Sequence, residues 1–229
     1  MNLDLERTVR PGLDILSSEI LIALKKRSRF PQNPEIYAPG LVRGEEGQSL
    51  LQYELRRTEE LHAELGRYTY ANQESFTEVN RAPLIILRDA PPSPVIPFRS
   101  GLGGRVMAEY QGWIRRDLAE GSDSNTWGET VTADVAALMS IFERITMGKY
   151  VAECKFREHE AKVRESRGDE ATLRAMIVHP DREAAVIDRA KALADRYEFP
   201  SAQAEWFFRW MIDLTVELQI DYLRARLRG

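Results

Sequence analysis

The sequence predicts an all-α fold, a single-domain helical bundle over residues 1–229, and three observations carry that expectation. Apolar residues recur at helical intervals along most of the chain. Prolines and glycines fall mainly between these periodic stretches, where they start or stop helices. No alternating strand pattern of useful length appears; the nearest candidate, Pro83-Leu-Ile-Ile-Leu, is short and flanked by breakers.

Pro11 suits the first turn of a helix running to about Arg29, with Leu13, Leu16, Ile20, Leu21 and Leu24 as its apolar positions. Phe30-Pro31 ends it, and a loop rich in Pro and Gly runs to Gly44. A second amphipathic helix is expected from about Gln48 to Tyr68, its apolar face marked by Leu51, Leu55, Leu61 and Leu65. Five prolines make residues 81–99 an extended connector. A third helix, about Arg105 to Leu118, precedes a polar turn and a long helical segment, Val131 to Phe156. The charged stretch from Arg157 to Arg167 continues as a solvated helix and stops at Gly168. Pro180 opens a helix to about Tyr197, and Ser201 can cap the last one, Ala204 to Arg226.

Composition narrows the function classes. The 229 residues are 43% hydrophobic and 30% charged, ordinary for a globular protein and free of repeat or disorder signatures. A net charge of -4 argues against nucleic-acid binding, which needs a basic surplus. The single cysteine, Cys154, permits no intrachain disulfide and no common zinc pattern, and it reads as a small core residue rather than a nucleophile. The first residues lack a signal-peptide core and no stretch is apolar enough to span a membrane, so the chain is expected in the cytoplasm, away from membranes.

Chemistry points inward. Arg144 and Lys155 lie eleven residues apart in the long helical segment. That spacing is close to three turns, so both cations fall on one face about 16 Å apart. Thr215 and Gln219 stand i,i+4 on the flank of the last helix that carries Met211, Leu218 and Tyr222. Interior polar groups must be paired, and several converging donors call for a ligand that completes them. Taken singly each has a plain reading: Arg144 and Lys155 can snorkel, Glu183 favours its helix dipole, Arg10 precedes a proline at the surface.

The motifs go further. Arg27-Ser-Arg-Phe-Pro31 with Tyr37 and Pro39-Gly40, then Met147-Gly-Lys-Tyr-Val-Ala-Glu-Cys-Lys-Phe156, then Thr215-Val-Glu-Leu-Gln219-Ile-Asp-Tyr222, form a set. In these the chain resembles the all-helical chorismate mutases, in the long form known from fungi and plants, over nearly its whole length. The resemblance implies conversion of chorismate to prephenate in the shikimate pathway of aromatic amino acid biosynthesis, with no cofactor or metal, in a homodimer. It implies that Arg10 and Arg144 hold the two carboxylates and that Lys155 reaches a carboxylate and the ether oxygen. Glu183 matches the glutamate that holds the substrate hydroxyl, and Thr215 and Gln219 match the hydroxyl and the ether-oxygen donor of the last helix.

This chain departs from the pattern at His179, where the family often has Asp or Asn; the ring either replaces that contact or only marks the helix entrance. Gln219 stands where many long-form members have Glu. The family's allosteric site uses adjacent arginines and a Gly-Ser pair, for which only Arg67 and Gly128-Glu129 are found; the carboxylate at 129 counts against feedback by an amino acid. Two alternatives stay open: an isochorismate pyruvate lyase on the same scaffold, and a non-catalytic helical regulator that binds a dicarboxylate. Trp113, Trp206 and Trp210 are read either as interface aromatics or as core.

Overall fold

Helix boundaries follow the caps and breakers in the chain. In the computed structural model, which describes residues 3–79, 85 and 92–228, Asp4 accepts from the amides of Glu6 and Arg7, each at 2.9 Å. It opens a π-helical turn, Leu5–Val9, that runs directly into α1, Arg10–Arg27. The chain then wraps around the side chain of Arg27, whose Nη atoms donate to the carbonyls of Phe30, Pro31 and Gln32 at 3.2, 3.0 and 3.0 Å. A reciprocal capping box between Ser49 and Gln52 starts α2, Leu50–Glu64. This helix is shorter at both ends than the periodicity predicts. Its expected apolar face is only half used: Leu51 and Leu55 are buried, while Leu61 and Leu65 are 53% and 47% exposed, Leu61 on the open groove between α2 and the helix that begins at Trp127.

After α3, Gly103–Asp117, comes α4, Trp127–Thr146, followed by α5, Gly148–Glu158. The single long helix expected over Val131 to Phe156 is therefore two helices joined at Met147. The amide of Tyr150 bonds Met147 O at 3.0 Å, a tight 3₁₀-type step, and ψ of Met147 is -18°. Packing requires the bend. A Cβ on Gly148 would sit 2.8 Å from Thr215 Cγ2, so only glycine lets this point approach the last helix so closely.

His159 interrupts the charged stretch, leaving the short α6, Glu160–Glu165, before Gly168 turns the chain at φ +82°. The next helix, α7, Glu170–Ile177, has no counterpart in the sequence reading. Its signals were local: Asp169 caps it by accepting from Thr172 N at 2.8 Å, and Leu173 and Ile177 bury one face. Pro180 opens α8, Pro180–Arg196, as expected, and α9 runs Ser201–Arg228, with Ser201 inside the helix and its hydroxyl donated to Asp195.

Two hydrophobic clusters share α9. The larger gathers α1, α2, α3, α4 and α8 around Phe207, Phe208, Met211 and Leu214. The smaller gathers α5, α6 and α7 around Val216, Ile220, Tyr222 and Leu223. Trp113 is wholly buried in the larger cluster, so it is core and not an exposed interface aromatic; Trp206 and Trp210 are half-buried, stacked 5.8 Å apart against it. Among the described residues the only β feature is an isolated bridge, Pro39 to Ser49. The candidate strand at Pro83 lies outside the described residues apart from Ile85, and the described part of the connector, residues 92–99, is non-helical. No described helix is long and apolar enough to cross a membrane.

Candidate active site

Where the two clusters meet, the bend at Met147 leaves a pocket of about 190 Å³. Arg10 of α1, Arg144 of α4, Lys155 of α5, His179 and Glu183 at the start of α8, and Thr215 and Gln219 of α9 all line it. The structure thus brings every predicted site residue to one cavity, although they are spread over more than 200 positions of the chain.

Arg144 is 6% exposed. Its Nε contacts Ser17 Oγ at 3.4 Å, and the guanidinium lies 5.0 Å over the Phe208 ring. Burial without a carboxylate partner pushes its pKa down to about 10. Lys155 is held by the last turn of α7: Nζ donates to Met176 O at 2.9 Å and Ile177 O at 3.4 Å, and it lies 2.9 Å from His179 Nε2. Those carbonyls are the unpaired C-terminal acceptors of a helix, a natural seat for an ammonium. Burial, then the nearby cations Arg182 and Arg10, lower its pKa, with Glu158 opposing.

Gln219 is 6% exposed and its Oε1 has no hydrogen-bond partner. A primary amide exposes either its oxygen or its NH2 by a flip, so this group can turn a donor toward a ligand. The Thr215 hydroxyl donates to Met211 O at 2.7 Å, which leaves its lone pairs for the pocket. Arg10 is half-exposed and paired with Glu6, so a ligand at the mouth has to compete for it.

Three side chains used here, and the packing role of Gly148, escaped the sequence reading. Arg182 lines the pocket one residue before Glu183, in the first turn of α8. Ser17 and Phe208 seat Arg144, and Gly148 permits the approach of α5 to α9. Of these only Arg182 carried a usable signal, its i+3 spacing from His179.

Charge balance separates this pocket from the rest of the surface. Arg10, Arg144, Lys155 and Arg182 face a single carboxylate, Glu183. A larger groove of about 1090 Å³ between α2 and α4 carries mixed charge, including Lys26, Arg57, Glu54, Glu60, Glu64 and Glu129. Arg67, the arginine noted above against the family's allosteric motif, is tied to Glu143 at 2.5 Å. Cys154 is half-buried rather than fully core, lies outside the pocket, and burial raises its thiol pKa, which disfavours the nucleophilic thiolate. Among the described residues no cluster of three or more His, Cys, Asp or Glu is placed to hold a metal. The cavity can therefore bind a compact dianion by charge and meet a developing negative charge with Lys155 and the Gln219 amide.

The family profile described as chorismate mutase type II matches residues 128–220. Maize cytosolic chorismate mutase 2 is 26% identical over 96% of this chain and 94% of its own length. The chorismate mutase of Schizosaccharomyces pombe is 25% identical over 96% of this chain and 95% of its own. Among solved structures, the chloroplast chorismate mutase of Zea mays superposes with a TM-score of 0.85 at 26% identity, covering 97% of this chain and 95% of that one. A Candida albicans chorismate mutase in complex with L-Trp superposes at 0.91 with 21% identity, over 99% and 92% of the two chains.

Proposed function

Because the chain belongs to the all-helical chorismate mutase family, we propose that this pocket rearranges chorismate to prephenate and that its eight polar lining residues do so without covalent chemistry. The carrying observation is the convergence of four cations and a buried, unpaired amide on one cavity. In this reaction the ether C–O bond breaks as a C–C bond forms between the two ends of the same molecule. No proton or electron pair leaves, so no nucleophile or general base is needed.

In this reading Arg144 and Arg10 take one carboxylate each, and the forked guanidinium fixes orientation as well as charge. That selects the folded conformer, in which the reacting carbons are close. Negative charge then grows on the ether oxygen, where Lys155 and Gln219 donate. Donors of this kind supply roughly 3 to 4 kcal/mol each, so two of them with conformer selection reach the ~8 kcal/mol expected of an enzyme. Glu183 accepts from the ring hydroxyl, and Thr215 closes the lining.

Finer expectations belong to the same reading. The chain acts as one helical domain and as a homodimer, and it works in the cytosol, as the maize cytosolic relative does by its name. A sedimenting species near 26.3 kDa instead of twice that would remove the dimer. The activity is tested by incubating the protein with chorismate and, separately, with isochorismate. Prephenate from the first supports the reading; salicylate with pyruvate from the second, or no product from either, replaces it with the lyase or the silent binder.

A further inference from the structure

His179 lines the pocket with a ring nitrogen against Lys155, and its geometry is specific. An ammonium carries three donors and no acceptor. A ring nitrogen 2.9 Å from Lys155 Nζ must therefore present a lone pair. The ring is then neutral and its proton sits on the far nitrogen, Nδ1. In the free protein Met176 O at 2.9 Å, Ile177 O at 3.4 Å and His179 Nε2 at 2.9 Å take the three donors, all from uncharged partners, and the long contact to Ile177 O is the one a ligand oxygen replaces.

We propose that His179 is a positioning residue for Lys155: as the neutral Nδ1–H tautomer it holds the ammonium toward the pocket, and its protonation releases that hold and slows the reaction. The proposal rests on the reading of the pocket given above. An imidazolium cannot accept from the ammonium and repels it across the same short distance, while the two carbonyls of α7 pull Lys155 toward that helix.

The charged groups facing the ring are Lys155 on α5, Arg182 and Glu183 on α8, and Arg10 on α1, with Glu158 acting on Lys155 from α5. Cations predominate. Lys155 first, then slight desolvation of a ring that is otherwise exposed, then Arg182 and Arg10, hold the imidazole below its ordinary value of 6.5, against the opposing pull of Glu183. The sign follows: at neutral pH and above the acceptor is fully present, and it is lost as pH falls through the lowered pKa. The substrate carboxylates titrate near pH ~4 and stay ionised across this window.

Two measurements decide it. Long-range ¹H–¹⁵N NMR of the free protein at pH 7.5 is expected to show His179 as the Nδ1–H tautomer, titrating below 6.5. The Nε2–H tautomer, or a titration at or above the ordinary value, overturns the proposal without reference to any substrate. In kinetics, kcat/KM reports the free enzyme, so it should fall by about tenfold or more, toward a lower plateau, as pH drops through the His179 pKa. H179L should lower kcat at pH 7.5 by about tenfold with KM little changed, the signature of an interaction made in the transition state. H179Q, whose amide oxygen reaches the place of Nε2 and accepts without titrating, should recover most of that loss and remove the acidic limb. An acidic limb that survives in H179Q, or an H179L protein with undiminished kcat, overturns the proposal. A protein with the Nδ1–H tautomer that does not consume chorismate at any pH refutes the proposed function instead.

Discussion

Arg27 and Arg144 are both withdrawn from water on adjoining helices, yet they live in opposite circumstances. The Arg27 guanidinium donates to Asp134 at 2.6 Å, to Tyr37 at 3.1 Å and to three carbonyls, while Tyr37 and Tyr110 complete the Asp134 carboxylate. Burial pulls its pKa down, but Asp134 and Tyr37 outweigh that and hold it above the ordinary value. Arg144 has one hydroxyl at 3.4 Å and the face of a ring. A buried charge with every donor satisfied is architecture, since it locks the exit of α1 against α4. A buried charge left short of partners costs stability, and in the function proposed here an anion at the pocket offsets that cost.

The largest effect expected from breaking this comparison is on the satisfied side. Asp134→Ala strands Arg27 in the core and should cost about 3–5 kcal/mol in chemical denaturation. Arg144→Leu should do the reverse, keeping or raising the melting temperature while abolishing tight binding of a dianionic transition-state analogue. Equal losses of stability in the two variants would erase the distinction. Next comes Lys155→Ala. Removing one preformed donor should cut turnover about 10²–10³-fold with the circular dichroism of the helices unchanged, and a variant turning over at the wild-type rate would strip Lys155 of its role.

Why one side was legible in the sequence and the other only partly so is a matter of range. The helices with strong caps and periodicity, such as Pro180–Arg196, are written locally, and their bounds in the structure agree within a residue. Lys155, Thr215 and Gln219 lie in the motifs that carry the resemblance and Arg144 stands at helical spacing from Lys155, whereas Arg10, His179 and Glu183 could be named only through what that resemblance implies. What seats them could not. Ser17 and Phe208 are 127 and 64 positions from Arg144, and nothing local marks them as its partners. The helix Glu170–Ile177 was missed because eight residues with two buried aliphatic positions make a weak periodic signal, although its C-terminal carbonyls hold Lys155. The bend at Met147 was hidden for a different reason: a lone glycine inside an otherwise continuous helical pattern does not by itself mark a break, and it is packing against Thr215 that demands one.

That bend supplies a third and smaller test. Gly148→Ala favours helix locally by about 1 kcal/mol. The added methyl, however, would lie 2.8 Å from Thr215 Cγ2 and 3.2 Å from Leu218 Cδ2. Thr215 cannot turn away easily, because its hydroxyl is bonded to Met211 O. Overpacking of this kind costs about 1–3 kcal/mol, so a net loss of stability is expected, with a drop in kcat as Lys155 and Gln219 are moved apart. An alanine variant of unchanged stability and rate would mean that the approach of α5 to α9 is looser than the contact implies.

The mildest change refines the under-matched side without removing anything from it. Gln219→Glu keeps size and shape but exchanges a group that donates at every pH for one that donates only when protonated. Above the carboxyl pKa the new side chain is an anion, drawn to Lys155 and repelling the ether oxygen as charge develops there. Below it the carboxylic acid donates and turnover returns. The pH optimum should therefore move to lower values in the variant, whereas the wild-type amide keeps working through neutrality. Coincident pH profiles for the two proteins would show that position 219 does not donate to the reacting oxygen, and Lys155 would stand alone in that task.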